Sequence, residues 1–285
     1  MKKTDRRLRI VWGTALLVIA LLVWWPLWFL AAGAVTAEDE LRLTLGPALG
    51  LGQGYAVWHW LPSWPTASPL LTLLLDTPQF FVMFWNSIRQ SGAQVAGQLL
   101  AGAPAAWALS RLRFRGRGPV RTLYLVLMLL PFQVTMVPGY LVLKALGLLD
   151  TAWAVILPGA FSTFPVFVMI RGFDAIPGEV LESAAMDGAG PWQQFRRIGI
   201  PLGLPAIVSA LTLAFLDAWN AIEQPMTYLK SQQNWPLSLY LTDLNPEALG
   251  LAMAASLLML VPSVLVFRLG QPYWEAGIGT GAVKG

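Results

Sequence analysis

Long stretches without a single charged residue constrain the fold of this chain more than any other feature. Such windows cover 10–37, 122–143, 151–170, 198–216 and 248–267, and a further window, 79–109, is interrupted only by Arg89. A helix of roughly 20 apolar residues is long enough to cross a hydrocarbon core of about 30 Å. Only 12% of the residues are charged, against about 25% in soluble domains. The pattern predicts an all-α integral membrane protein with six transmembrane helices.

The window 43–75 is also free of charge, but we do not expect it to span a membrane. Helix-breaking residues interrupt it throughout, namely Pro47, Gly50, Gly52, Gly54, Pro62, Pro65 and Pro69. A segment surrounded by lipid must satisfy its own backbone hydrogen bonds, which this one cannot do as a helix. Its tryptophans favour a loop at the membrane interface. Because His59 is the chain's one histidine and there is no cysteine, we predict no metal site.

The N-terminus superficially looks like a signal peptide, with Lys2, Lys3 and Arg6 ahead of an apolar run. The run is longer than the apolar core of a signal, and no cleavage site of small residues follows Trp28 and Phe29. We therefore expect a retained first helix.

Basic residues predict the orientation of the six spans, which we place at 10–33, 79–109, 120–143, 152–172, 201–222 and 248–269. Segments 1–9, 110–119, 173–200 and 270–285 would be cytoplasmic, and segments 34–78, 144–151 and 223–247 would lie outside. All but four of the 19 lysines and arginines fall in or at the edge of the cytoplasmic segments, the exceptions being Arg42, Arg89, Lys144 and Lys230. This distribution obeys the positive-inside rule and places both termini in the cytoplasm.

The cytoplasmic segment 173–200 carries the signals of two short helices joined at a glycine. Pro177 suits a first helical turn, with Glu179 and Glu182 near its positive end. Gly188 can end that helix in the left-handed conformation, and Pro191 can begin the next. Small or apolar residues recur on one face of each, namely Leu181, Ala184 and Ala185, then Trp192, Phe195 and Ile198. One interpretation is an amphipathic pair lying on lipid headgroups, and the other is a docking element for another protein.

The same segment resembles the "EAA" loop of binding-protein-dependent ABC importer permeases. That pattern is E-A-A, three residues, Gly, nine residues, then I-x-L-P, and Ser183 and Ile200 are mild departures from it. The resemblance implies the type I ABC importer permease fold and a loop seated in a groove of a separate ATPase. The coupling residues would be Glu182, Ser183, Ala184, Asp187, Gly188, Ile198 and Pro201, while Trp192, Phe195 and Ile198 would anchor the loop to the permease body.

Other stretches resemble the carbohydrate branch, in particular the second permease of maltose-type systems. They are Asn86-Ser87, 108–118, 146–151, Trp219-Asn220 and 277–285. The resemblance implies import of a sugar or sugar-like solute across a bacterial cytoplasmic membrane. The implied partners are a second homologous permease, an ATPase dimer carrying ATP and Mg, a solute-binding protein outside and membrane lipid. Segment 223–247 would touch the binding protein or be a packed loop without special role.

The sequence offers no enzymatic chemistry of its own. It has no G-x-x-x-x-G-K-[ST] phosphate loop, so we expect no cofactor on this chain and ATP hydrolysis by a partner. We also find no candidate catalytic residues. The arginines of 111–117 could suggest nucleic acid, but on a cytoplasmic loop topology and anionic lipid explain them better.

Polar residues inside predicted spans are the candidates for a translocation path. Side chains four residues apart form a stripe on the second span, with Arg89 beside it, namely Asn86, Gln90, Gln94 and Gln98. They either line the path or bind a neighbouring helix. Asp217, near Asn220, could line the path, pair with Arg89 or a partner permease, or couple transport to ions. An alternative function is therefore an ion-coupled secondary transporter using Asp217 and Arg89, although the internal repeats of many such transporters are not evident.

Overall fold

The computed structural model describes residues 2–50, 53–57, 59–243 and 248–282, with side chains for 11–50, 53–57, 59–241 and 248–274. Within these ranges the regular secondary structure is helical, apart from one isolated bridge between Thr36 and Pro65, and turns and irregular segments connect the helices. The α-helices are α1 Lys2–Ala34, α2 Glu38–Leu45, α3 Ser68–Leu71, α4 Pro78–Gly97, α5 Ala103–Arg111, α6 Arg117–Leu129, α7 Phe132–Ala145, α8 Trp153–Ala160, α9 Thr163–Asp174, α10 Gly178–Met186, α11 Pro191–Gln194, α12 Ile200–Asn220, α13 Glu223–Tyr228, α14 Tyr240–Asp243 and α15 Leu249–Ala282.

Short helical segments of other types complete the chain. Three are π-helical turns, Thr72–Asp76, Gln98–Gly102 and Phe195–Gly199, and three are 3₁₀ turns, Gly46–Leu49, Gln232–Asn234 and Leu237–Leu239. The all-helical prediction is thus confirmed for the described residues. Segment 34–78, predicted as an irregular loop, contains α2 and α3 but no helix long enough to cross a membrane among its described residues.

Four helical stretches of the described chain are long and apolar enough to cross a membrane: Val11–Ala34, Trp153–Asp174, Pro191–Asn220 and Leu249–Trp274. A fifth is obtained if the bent pair α6 and α7 counts as one span. The predicted multi-pass character is therefore confirmed, whereas the count of six is not reached. The stretch predicted as the second span, from α4 to α5, is helical, but its amides, hydroxyls and Arg89 lower its hydropathy.

The predicted third span differs most from its sequence-based prediction. Instead of one element over 120–143, α6 ends at Leu129 and α7 begins at Phe132, and the two helices meet at 106°. Leu130 is extended, with ψ 122°, because the ring of a following proline disfavours the α conformation. Pro131 is extended too, with ψ 150°, and it has no backbone N–H to continue the helix. The proline therefore divides the stretch in two.

The chain divides into two compact units, which we describe separately. In the unit formed by 1–81 and 241–261, the carboxylate of Glu38 accepts hydrogen bonds from the backbone N–H of Leu249 at 2.7 Å and of Gly250 at 2.9 Å. These are the first N–H groups of α15, which have no partner within the helix. A carboxylate at this position also interacts favourably with the helix dipole. Glu38 therefore fixes the start of the last helix.

The unit formed by 82–240 and 262–285 contains an aromatic core between α5, α9 and the start of α12. The ring of Trp107 contacts Phe173 at 5.2 Å and Phe195 at 5.8 Å between centroids. Glycines allow the close approach of these helices: a Cβ on Gly172 would lie 2.0 Å from the Ala206 side chain. Small residues at helix contacts are typical of membrane proteins, because they permit close packing. This core therefore ties the chain just after α11 to the body of the unit.

The arginines of segment 110–121 have structural roles that were not predicted from the sequence. Arg111 donates to the backbone carbonyls of Phe173 and Ile176 at the end of α9, and Arg117 donates to the Leu109 carbonyl at 2.7 Å. Cationic side chains favour these positions, since the last carbonyls of a helix are partly negative. Arg121 forms an ion pair with Asp174. Arg113 and Arg115 are exposed.

Candidate functional site

The predicted helix–glycine–helix element is present at 178–194. Helix α10 ends in a Schellman motif, in which the N–H of Ala189 donates to the Ala184 carbonyl at 2.9 Å and the N–H of Gly188 to Ala185 at 3.0 Å. Gly188 has φ +83°. A Cβ there would meet nothing within 4 Å, so glycine is needed for the backbone angle and not for space. Helix α11 then begins at Pro191, as predicted.

Helix α10 has no buried residue, although Leu181 packs against the aromatic core. Glu182, Ser183 and Asp187 are exposed, and Met186 is 83% exposed. Such a helix packs little against its own chain, so it is available to another protein. We call residues 178–194, the centre of the predicted segment 173–200, the coupling loop from here on, after the role that the family resemblance implies for it.

The three aromatic and apolar residues expected to anchor the coupling loop behave differently from one another. Phe195 is buried in the aromatic core at 4% exposure, and Ile198 is half-buried. Trp192 is 65% exposed, and its ring contacts that of Phe195 at 5.3 Å. Trp192 therefore contacts the aromatic core through Phe195, while most of its side chain lies outside the packed region.

The coupling loop continues directly into the longest packed helix of its unit. Helix α11, the π turn Phe195–Gly199 and α12 form one helical stretch, Pro191–Asn220. At 1.5 Å per residue, Trp192 and Asp217 lie about 38 Å apart along this stretch. The stretch therefore forms a continuous helical connection between the coupling loop and the C-terminal end of α12.

At the C-terminal end of α12, a cavity of ≈ 580 Å³ opens between α12, α4 and the break between α8 and α9. Its lining residues are Gln94, Gly159, Ser162, Phe164, Pro165, Leu213, Ala214, Leu216, Asp217, Asn220 and Ala221. Of the six predicted path residues, Gln94, Asp217 and Asn220 meet at this cavity. The described residues contain no group of three or more histidine, aspartate or glutamate side chains placed to hold a metal ion.

The other three members of the polar stripe bind backbone carbonyls of the same chain. The amide nitrogen of Asn86 donates to Gln233 at 2.7 Å, and that of Gln90 donates to Asn234 at 2.9 Å. The amide nitrogen of Gln98 donates to the carbonyl of Gly159 at 2.7 Å. These bonds correspond to the second interpretation of the stripe, in which the amides hold neighbouring segments in place.

Gln94 differs from its neighbours on the stripe. It is only 6% exposed, yet its amide has no hydrogen-bond partner among the described residues. Glycine at position 159 makes room for this side chain, because a Cβ there would lie 1.8 Å from the Gln94 Oε1 atom. Gln94 lines the cavity, and its amide atoms are not among the fully buried polar atoms without a partner, so this amide is accessible to a ligand in the cavity.

Asp217 is the ionisable residue of the cavity lining. Its carboxylate has no hydrogen bond or ion pair within the part of the chain that the structure describes. The predicted pairing with Arg89 is not observed, since that guanidinium donates to the Asn86 Oδ1 atom at 3.1 Å. Asn220 uses its amide nitrogen on the Leu216 carbonyl at 2.8 Å, which leaves Oδ1 as an acceptor.

Asp150 is an organising residue that was not singled out from the sequence. It adopts φ +59° and accepts hydrogen bonds from the backbone N–H of Lys230 at 2.9 Å and of Ser231 at 2.8 Å. Bonds from Ser231 and Lys230 lower the pKa of its carboxyl to about 2. Its own carbonyl accepts from the side chain of Asn234 at 2.7 Å. The signal was available, because Asp150 lies within the stretch 146–151 that carries part of the family resemblance.

The chain is similar in sequence to known membrane subunits of transport systems. Residues 98–275 match the family described as "Binding-protein-dependent transport system inner membrane component". Over its full length the chain is 30% identical to the inner membrane ABC transporter permease protein YcjP of Escherichia coli, of which 99% is covered. It is also 30% identical to the arabinooligosaccharides transport system permease protein AraQ of Halalkalibacterium halodurans, over 79% of this chain and 81% of that one.

A solved structure shares the fold. The match is a crystal structure of a bacterial ABC transporter involved in the import of the acidic polysaccharide alginate, with a TM-score of 0.80. The alignment covers 95% of this chain and 98% of the other, at 24% identity.

Proposed function

The chain belongs to the family of binding-protein-dependent transport system inner membrane components, and from this membership we propose that it imports a sugar or sugar-like solute as the permease subunit of an ATP-driven transporter. Members of the family are membrane subunits, and ATP is hydrolysed by a separate subunit. The ion-coupled alternative based on Asp217 and Arg89 is set aside by this membership. A saccharide cargo is supported by the AraQ relative, which is named for the transport of arabinooligosaccharides.

The structural observation that supports coupling to an ATPase is the continuous helical stretch Pro191–Asn220. The exposed helix α10 would seat against the ATPase through Glu182, Ser183, Ala184 and Asp187. Gly188 sets the bend, and Ile198 and Pro201 lie where the loop passes into α12. Closure of an ATPase pair would then move α12 together with the cavity at its far end, so that nucleotide binding shifts the balance between two states of the permease.

The remaining parts of the proposal concern topology and partners. Six spans result if the stretch from α4 to α5 and the bent pair α6–α7 each cross the membrane together with the four apolar helices. Both termini and the coupling loop then lie in the cytoplasm, in agreement with the positive-inside rule. The partners would be a second, homologous permease, an ATPase pair carrying ATP and Mg, membrane lipid and an extracytoplasmic solute-binding protein.

The translocation path would pass the cavity, where Gln94, Asp217 and Asn220 are its polar contacts. Amide and carboxylate groups suit a solute rich in hydroxyl groups, because they offer both donors and acceptors. Asn86, Gln90 and Gln98 would support the path by fixing the backbone beside it, without touching the solute.

Assembly is the first test of this proposal. The tagged chain is purified from native membranes in mild detergent, and co-purifying proteins are identified by mass spectrometry. We expect an ATPase and a second permease in stable stoichiometry. Glu182→Lys, which reverses a charge on the exposed face of α10, should lose the ATPase while retaining the permease partner. A matched control is Glu179→Lys at the first turn of the same helix, outside the proposed contact set. A chain that is recovered alone and transports solute unaided would contradict the proposal.

A further inference from the structure

The lining of the cavity beside α12 is negatively charged. Among its lining residues, Asp217 is the charged side chain and no lysine, arginine or histidine occurs. The other polar side chains are neutral: Gln94, Ser162 and Asn220. A solute in this cavity therefore meets one negative charge that no cation of the lining offsets.

The polar groups of the cavity offer more hydrogen-bond acceptors than donors, so they favour a solute that donates hydrogen bonds. An ionised carboxylate only accepts hydrogen bonds, and that of Asp217 has none from the described residues. Asn220 contributes an acceptor, since its amide nitrogen is already bonded to the Leu216 carbonyl. Gln94 adds a donor as well as an acceptor, and its amide occupies space that a side chain at position 159 would fill. Hydroxyl groups satisfy such a set, whereas a carboxylate on the solute would face Asp217 without a compensating cation.

The shape of the lining also suits a saccharide. Phe164 and Pro165 supply apolar surface next to the polar groups, and Phe164 is 43% exposed. A volume of ≈ 580 Å³ falls within the range of small-molecule sites, about 300–1,000 Å³. Aromatic surface with a few convergent polar groups is the usual composition of such sites.

We propose that this cavity is a saccharide site that admits sugars free of carboxylate groups and rejects uronic acids. The inference rests on the proposed function and makes it more specific, because it names the charge class of the cargo. Asp217 is the residue that determines this selectivity. Gln94 and Asn220 contribute affinity for hydroxyl groups and do not distinguish charge.

The test compares trigalacturonate with its fully methyl-esterified form, which has the same sugar skeleton and carries neutral methyl esters in place of the carboxylates. Binding of each is titrated by saturation-transfer NMR to the assembled permease–ATPase complex in nanodiscs, without solute-binding protein. We expect the wild type to bind the ester at least tenfold more tightly than the acid. Asp217→Asn, which keeps shape and removes charge, should bring the two affinities within twofold. Equal binding of acid and ester by the wild type, or an unchanged ratio in Asp217→Asn, would overturn the proposal.

Two further variants separate charge selectivity from general damage. Glu223 lies outside the cavity lining, where its carboxylate accepts from Gln133 at 2.7 Å, so Glu223→Gln should leave the tenfold ratio unchanged. Gln94→Met should weaken both saccharides equally, by about threefold to tenfold, the value of one neutral hydrogen bond. If neither saccharide binds, the cavity is not a saccharide site. A chain that fails to assemble with an ATPase contradicts the proposed function, whereas an assembled importer that binds acid and ester alike contradicts only this inference.

Discussion

Replacing Gly188 by alanine tests whether the coupling loop needs the left-handed backbone conformation at this position. The substitution adds only a Cβ, so it introduces no other new contact. Gly188 has φ +83°, and a Cβ at this site would meet no atom within 4 Å. The cost of the substitution is therefore confined to the left-handed backbone, about 1–2 kcal/mol for a residue with a Cβ. That free energy changes the ratio of bent to straightened loop by a factor of roughly 5–30.

If the ATPase binds only the bent loop, its affinity falls by the same factor. The measurement is a titration of labelled ATPase into the permease pair held in nanodiscs. Gly178→Ala is the matched control, since Gly178 lies at the other end of α10, its Cβ would also meet nothing within 4 Å, and its φ is not positive. We expect the affinity of this control to stay within twofold of the wild type.

Asparagine at position 188 provides a second check, because it tolerates the left-handed conformation better than alanine. Gly188→Asn should recover part of the lost affinity. The reasoning is refuted if Gly188→Ala binds the ATPase as tightly as Gly178→Ala, or if Gly188→Asn is no better than Gly188→Ala.

Three further predictions concern packing, buried hydrogen bonds and pH. Gly172→Ala introduces a Cβ 2.0 Å from a neighbouring side chain and should lower the stability of the detergent-purified protein by about 1–3 kcal/mol, while Gly118→Ala, with nothing within 4 Å, should not. Gln98→Leu removes the hydrogen bonds that the buried Gln98 amide donates to the Gly159 and Ser162 carbonyls, and it should lower the unfolding temperature more than Gln94→Leu, which breaks no hydrogen bond within the described residues. Asp150 has a pKa lowered from 3.8 to about 2, so its ionised form stabilises the fold above the unfolded value. The difference in unfolding temperature between wild type and Asp150→Asn should be constant above about pH 5 and shrink as the pH falls to about 2.

Local signals explain why the coupling loop was predictable from sequence. Its first helix begins after a proline, ends at a glycine and is followed by a second proline, and each of these residues restricts the backbone at its own position. The left-handed Gly188 and the start of α11 at Pro191 follow from such local rules. The exposure of Trp192 does not, because periodicity shows which residues share a face and not which face is packed.

The bend between α6 and α7 and the division of the polar stripe depend on tertiary structure. Pro131 was visible in the sequence, but many membrane helices continue through a proline when neighbouring segments satisfy the freed backbone groups. The four amides of the stripe have identical spacing, yet three of them meet backbone carbonyls and Gln94 meets a cavity. The chain segments that make this difference are more than 60 residues away from the stripe, beyond the reach of helical periodicity.

The central claim is that this chain moves solute only when a separate ATPase drives its coupling loop. The most direct measurement is uptake of radiolabelled oligosaccharide into proteoliposomes that contain the permease pair, the ATPase and the solute-binding protein. Uptake should require ATP on the ATPase side of the membrane, persist when ion gradients are dissipated, and be lost in Glu182→Lys although the protein still inserts. Uptake that continues without ATP and stops when a proton or sodium gradient is removed would contradict the claim.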